Sequence, residues 1–225
     1  MKRPKSAVLP APAAGRSRTR AGAVLLAATG ALFVLYPASR PWNDESTPAG
    51  AIASMSSTAW VASHLFAMIG FILLPLGLLA LRRAVDGTPG ERPAVAALLT
   101  GWTGAGLVLP YYGAEDFGLN ALARAAADGE RFDLLAVVEA VRFGPAASAT
   151  FVLGLLALGV GAVLAAVAVW RSGRLARYSG IPFALGFALF LPQFFTPAAV
   201  RITHGVLVGI GSAWLAWELW RAETR

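Results

Sequence analysis

The stretch LPYYGAEDFGLNALARA, residues 109–125, sets Tyr111, Tyr112, Glu115 and Asp116 where a long apolar run gives way to polar sequence. A carboxyl group lodged in an apolar site keeps its proton and can act as a general acid. If 114–127 is helical, Asp116, Asn120, Arg124 and Ala127 share one face, while Glu115 shares another with Leu119, Leu122 and Ala126. That spacing predicts Asp116 in water or against Arg124, and Glu115 tucked against apolar surface as the protonated acid. Glu139 stands three residues before Arg142, so a second acid is expected in an ion pair within one helix. The plain alternative is a structural network that pins a loop to its bundle.

The two histidines of the chain, His64 and His204, add groups that bind protons, substrate or metal. Two imidazoles at similar depth on different helices could clamp a haem. A metal completed by Glu115 or Glu139 has no motif spacing to support it. The chain has no cysteine, which removes disulfides, iron–sulfur clusters, zinc–thiolate sites and cysteine nucleophiles. The expectation is a substrate site without metal or cofactor. Trp60, Tyr111, Tyr112, Phe190 and Phe194 cluster near these groups in the sequence pattern. They read either as an interfacial aromatic belt or as walls that stabilise a cation.

The elements that must position these residues are apolar helices. Of 225 residues, 57% are hydrophobic and 14% charged, against about 25% charged in soluble domains. Several runs approach the length of about 20 residues that spans a bilayer. The reading is an all-α, polytopic membrane helix bundle with spans over 21–39, 57–81, 94–112, 145–170, 181–195 and 197–220. The segment 114–143 is amphipathic and reads as two short helices broken near ADGER. Pro192 is expected to kink the fifth span. Residues 1–20 read as a basic, disordered tail and 221–225 as a short one. The first apolar run could be a signal peptide, but no A-x-A site follows, so an uncleaved span is expected.

Orientation follows from lysine and arginine. Six in the first tail, three around residues 82–92, three in 171–177 and two at the C-terminus make fourteen on one side, and five of the nineteen remain for the other. The arginine-rich side is cytoplasmic by the positive-inside rule, with both termini inside a cell membrane. The net charge of +7 then reflects cytoplasmic arginines rather than a nucleic-acid partner. The partners expected are membrane lipid and a lipophilic small molecule. On this topology His64, His204, Arg201, Glu115, Asp116, Glu139, Arg142 and Gln193 fall in one layer toward the outer leaflet. Polar groups at such depth face a cavity or each other.

In size, helix count and a few acids set among aromatics, the chain resembles the membrane-bound terpene cyclases of meroterpenoid and indole-sesquiterpenoid pathways. Its Ala/Gly/Arg bias is similar to that of actinobacterial multi-pass proteins. The resemblance is one of type over the membrane region, and no signature residue is carried over from it. It implies an enzyme that protonates an alkene or epoxide with a carboxylic acid and guides the carbocation inside the bundle, without metal. Glu115 would be the acid, with Asp116 or a tyrosine to orient it. In those cyclase terms, acids on the outer side are a departure. The other class of reading is a non-enzymatic membrane protein with a transport, accessory or sensor role.

Overall fold

The structure, a computed structural model, describes residues 13–222. The described residues form helices joined by short connections, with no strand among them. In order it forms α1 (Ala13–Ser39), α2 (Pro48–Met55), α3 (Thr58–Ala84) and α4 (Glu91–Gly113). A π-helical turn (Ala114–Gly118) then leads into α5 (Leu119–Ala127), followed by α6 (Leu134–Phe143), α7 (Pro145–Ser172), α8 (Ile181–Ala188), α9 (Phe190–Gln193) and α10 (Ala198–Ala222). Residues 1–12 of the basic tail and residues 223–225 lie outside the described residues, and the chain is already helical from Ala13.

Five helical stretches are long and apolar enough to cross a membrane: Arg18–Ser39, Thr58–Ala84, Glu91–Ala127, Pro145–Ser172 and Ala198–Ala222. The chain is an integral membrane protein. The span expected over 181–195 is instead a broken pair, α8 and α9. Pro192 has no N–H to give the carbonyl of Ala188, and the helix breaks at Leu189. The pair still runs the height of the bundle beside α7. Gly180 lies against Ala166, Ala188 against Gly159, and Phe194 against Phe151. The chain therefore passes through the bundle six times, five of them as full-length helices.

Local sequence explains the ends. Ser57 caps α3 by accepting the N–H of Trp60 at 3.1 Å. Pro145 opens α7, and Gly173 closes it at φ +64°, a left-handed conformation that glycine adopts without strain. The helix α2 lies between the first two expected spans, where the sequence predicts no helix. Thr47 caps it by accepting the Gly50 N–H at 3.1 Å, and Pro48 takes its first position.

Small residues let the helices approach closely, as they do in membranes. A Cβ on Gly104 of α4 would sit 2.7 Å from the Gly154 carbonyl of α7, so these two backbones touch. A Cβ on Gly211 of α10 would run into the backbone of Phe183 in α8. Two levels of core result. The main one runs through the long helices. A second, built on Met55, Trp60, Leu119, Leu134 and Val138, sits under α2, α5 and α6 and makes them a cap.

Contacts along the helices sort the bundle into two ends. At the proximal end the Arg20 guanidinium lies over the Trp220 ring and the Glu218 carboxylate accepts the Ala176 N–H at 3.0 Å. At the distal end Tyr36, His64 and Tyr112 form a group of rings. The described chain begins and ends at the proximal end, and the cap covers part of the distal one.

Candidate functional site: a distal cavity with a charged wall and an aromatic wall

A cavity of about 650 Å³ opens at the distal end. Small-molecule sites in proteins are usually about 300–1,000 Å³. Its charged wall is a chain of alternating ions. Arg40 Nη2 donates to Glu45 Oε1 at 2.6 Å, and Arg142 Nη2 lies 2.9 Å from Glu45 Oε2. Arg142 also grips Glu115 with two donors, Nε to Oε1 at 2.6 Å and Nη2 to Oε2 at 3.1 Å. The fork-to-fork geometry is that of a guanidinium on a carboxylate. Burial works against the charge on Arg142, but the carboxylates of Glu115 and Glu45 outweigh it, and its guanidinium holds its proton more strongly than usual.

His64 ends the chain of ions. Its Nδ1 lies 2.8 Å from the Trp60 carbonyl, which can only accept, so Nδ1 carries the proton of that bond. Nε2 is thereby left toward Glu115 Oε2, 3.9 Å away. In that tautomer Nε2 carries no proton and is open to take one up beside the carboxylate. Trp60 lies behind this wall. It is fully buried, tilts against the His64 ring at 4.3 Å and donates Nε1–H to the Glu115 carbonyl at 2.9 Å. The Arg40 guanidinium lies 4.8 Å over the Trp60 ring.

The rest of the lining is largely aromatic. Tyr111 stacks on Phe151 with centroids 4.0 Å apart, Phe194 meets Phe151 edge-on at 5.4 Å, and Tyr112 and Tyr36 pack edge-to-face at 5.8 Å. Phe143 and Phe195, 71% and 86% exposed, both line the cavity, so its mouth lies between two apolar side chains.

Of the residues singled out by sequence, His64, Tyr111, Tyr112, Glu115, Arg142, Phe194 and Arg201 come together on this cavity. The others do not. Phe190 and His204 pack against each other at 5.1 Å beside a separate crevice of about 10 Å³. His204 spends Nε2 on the Gly186 carbonyl at 2.7 Å. Glu139 is exposed and makes no ion pair among the described residues. The expected pair of Glu139 with Arg142 is replaced by pairs to Glu115 and Glu45, because Arg142 reaches inward across the bundle end rather than along its own helix. Among the described residues no three His, Asp or Glu side chains gather to hold a metal ion.

The two adjacent acids differ most from the expectation. Asp116 meets neither water nor Arg124. It is fully buried and neither carboxyl oxygen has a hydrogen-bond partner among the described residues. Glu115 is buried too, but in the grip of Arg142 rather than in apolar surroundings. The cause is the π-helical turn at Ala114–Gly118. It takes more residues per turn than an α-helix, so a face counted at 3.6 residues slips out of phase across it.

Sequence reasoning missed Tyr36, Arg40, Glu45 and Phe151, all on the cavity wall. One signal was present. Arg40, Arg142 and Arg201 are three of the few arginines assigned to the arginine-poor side, where a charge needs a local reason to be. Comparison with protein-family models, with curated proteins and with solved structures finds no match.

Proposed function

We propose that this membrane protein holds a lipophilic small molecule in the distal cavity. Its polar head meets the charged lining of Glu45, Arg142, Glu115, His64 and Arg201, and its apolar body lies between Tyr111, Phe151 and Phe194. One observation carries the reading: a ligand-sized cavity in a membrane bundle has one charged wall, one aromatic wall and an apolar mouth. By the positive-inside rule the distal end faces outward from the cell membrane and both termini are cytoplasmic. Carriage or sensing of the molecule needs the cavity alone. The test is uptake of a fluorescent amphiphile by the full chain in lipid nanodiscs. Ser148 lines the cavity and Leu156 faces outward, 51% exposed. Ser148→Trp should abolish uptake and Leu156→Trp should keep it; equal uptake by both rejects the site.

The enzymatic form of this proposal is proton-initiated cyclisation of a prenylated substrate in the same cavity. The arrangement that favours it is His64 beside Glu115. Arg142 already occupies both oxygens of Glu115, so the proton would come from Nε2 of a doubly protonated His64, with Glu115 as its counter-charge. The tyrosine and phenylalanine faces would then stabilise the cation while the ring closes, and loss of a proton from a neighbouring carbon back to Nε2 would end the reaction and restore the acid. His64→Gln should abolish turnover in membranes that convert a prenylated substrate; retained turnover rejects the enzymatic form and leaves the binding proposal standing.

A further inference from the structure

The charges on the cavity wall do not balance. Arg40, Arg142 and Arg201 face Glu45 and Glu115, three cations against two anions with His64 left aside. Both carboxylates are already engaged by Arg40 and Arg142. Arg201, in the first turn of α10, is the remainder. No carboxylate among the described residues pairs with it.

Arg201 is nevertheless held in place. Its guanidinium packs against two rings, 4.8 Å over Trp42 and 5.0 Å over Phe194. Its Nε donates to Oε1 of the buried Gln193 at 3.2 Å. No described residue accepts from its two terminal nitrogens. A planar fork held against two rings and along one edge leaves its other edge for an incoming group. That edge matches the two oxygens of a carboxylate or phosphate. Ala198, the first residue of α10, lines the same cavity, so the positive end of a 25-residue helix adds to the field there.

We infer that Arg201 is the anion subsite of the cavity, and that the ligand is an anionic amphiphile whose carboxylate or phosphate docks on the free edge of Arg201. This rests on the binding proposal above and narrows its ligand class. The Trp42 and Phe194 rings keep the guanidinium from turning toward solvent. The apolar body of the ligand then extends past Phe194 toward the mouth between Phe143 and Phe195.

The test uses the full chain in phosphatidylcholine nanodiscs and three probes of one polyene chain length: the fatty acid, its alcohol and its monophosphate. The native protein should bind at least one anionic probe more tightly than the alcohol. Loss of a charge-assisted pair is worth about tenfold to a hundredfold in affinity. Arg201→Gln should therefore weaken that anionic probe at least about tenfold relative to the alcohol, and Arg201→Lys, which keeps the charge without the fork, should fall between. Carboxylate preference points to a fatty-acid-like ligand and phosphate preference to a phosphorylated lipid. Equal affinity for alcohol and anions, or equal weakening of all three probes in Arg201→Gln, overturns the inference while leaving the binding proposal intact. Failure of all three probes to bind the native protein rejects both.

Discussion

Replacing Arg142 with methionine removes the cation that joins two carboxylates from different parts of the chain. Glu115 loses both of its short contacts, at 2.6 and 3.1 Å, and Glu45 loses one at 2.9 Å but keeps Arg40 at 2.6 Å. The side chains of Arg142 and Glu115 are only 17% and 10% exposed, so solvent screens little of the loss. Breaking a buried pair from one side costs about 3–5 kcal/mol, because the remaining charge stays buried. With Glu45 still paired, the lower end, about 3 kcal/mol, is expected for Arg142→Met. In a chain of this length that corresponds to a fall in Tm of about 6–12 °C. Thermal unfolding in mild detergent, followed by tryptophan fluorescence, reads it. The double variant Arg142→Met/Glu115→Gln removes the stranded charge and should recover most of the loss. A single variant within about 1 kcal/mol of native, or a double variant no better than the single, refutes the claim that this pair is buried and ionised.

The remaining expectations follow from other contacts. Trp60→Phe removes the donor to the Glu115 carbonyl and should cost about 1–3 kcal/mol in the same melt; a change below about 0.5 kcal/mol would mean that the carbonyl finds another partner. Because the chain has no cysteine, single replacements at Ser46 and Arg177 can be labelled on intact cells with an impermeant maleimide. Ser46→Cys should react and Arg177→Cys should not, and reaction of both from one side would contradict the six-pass arrangement.

Much of the architecture is legible in sequence because apolar length is a strong signal. The five long helices coincide with the apolar runs, and even the broken α8–α9 pair could be suspected from Pro192. The layer of polar residues is legible for a related reason. Charge in an apolar segment is costly, so Glu115, His64 and Arg142 stand out wherever they occur. What the sequence hides is phase and partner. The turn AEDFG carries no period that marks it as π-helical, so the face assigned to Asp116 fails there. Arg142 has an acid at the right helical spacing, Glu139, and ignores it for Glu115, 27 residues away. Glu45 and Arg40 sit in a polar stretch between two apolar runs, and the place of Arg40 over Trp60 depends on how the cap packs on the bundle. His204 shares the depth of His64 but lies on the far side of Phe190, a difference that depth cannot reveal.

The central claim is that the distal cavity is occupied by a lipophilic molecule. A photoactivatable amphiphile with its diazirine midway along the chain, cross-linked to the full protein in nanodiscs and mapped by peptide mass spectrometry, tests it most directly. Label is expected on residues 36–45 and 109–116, which hold the buried Tyr36 and Tyr112 of the cavity wall. Label confined to outward-facing positions such as Leu99, Trp102 and Val160, with none on those two stretches, would show that the amphiphile touches only the outer surface of the bundle and would contradict the account.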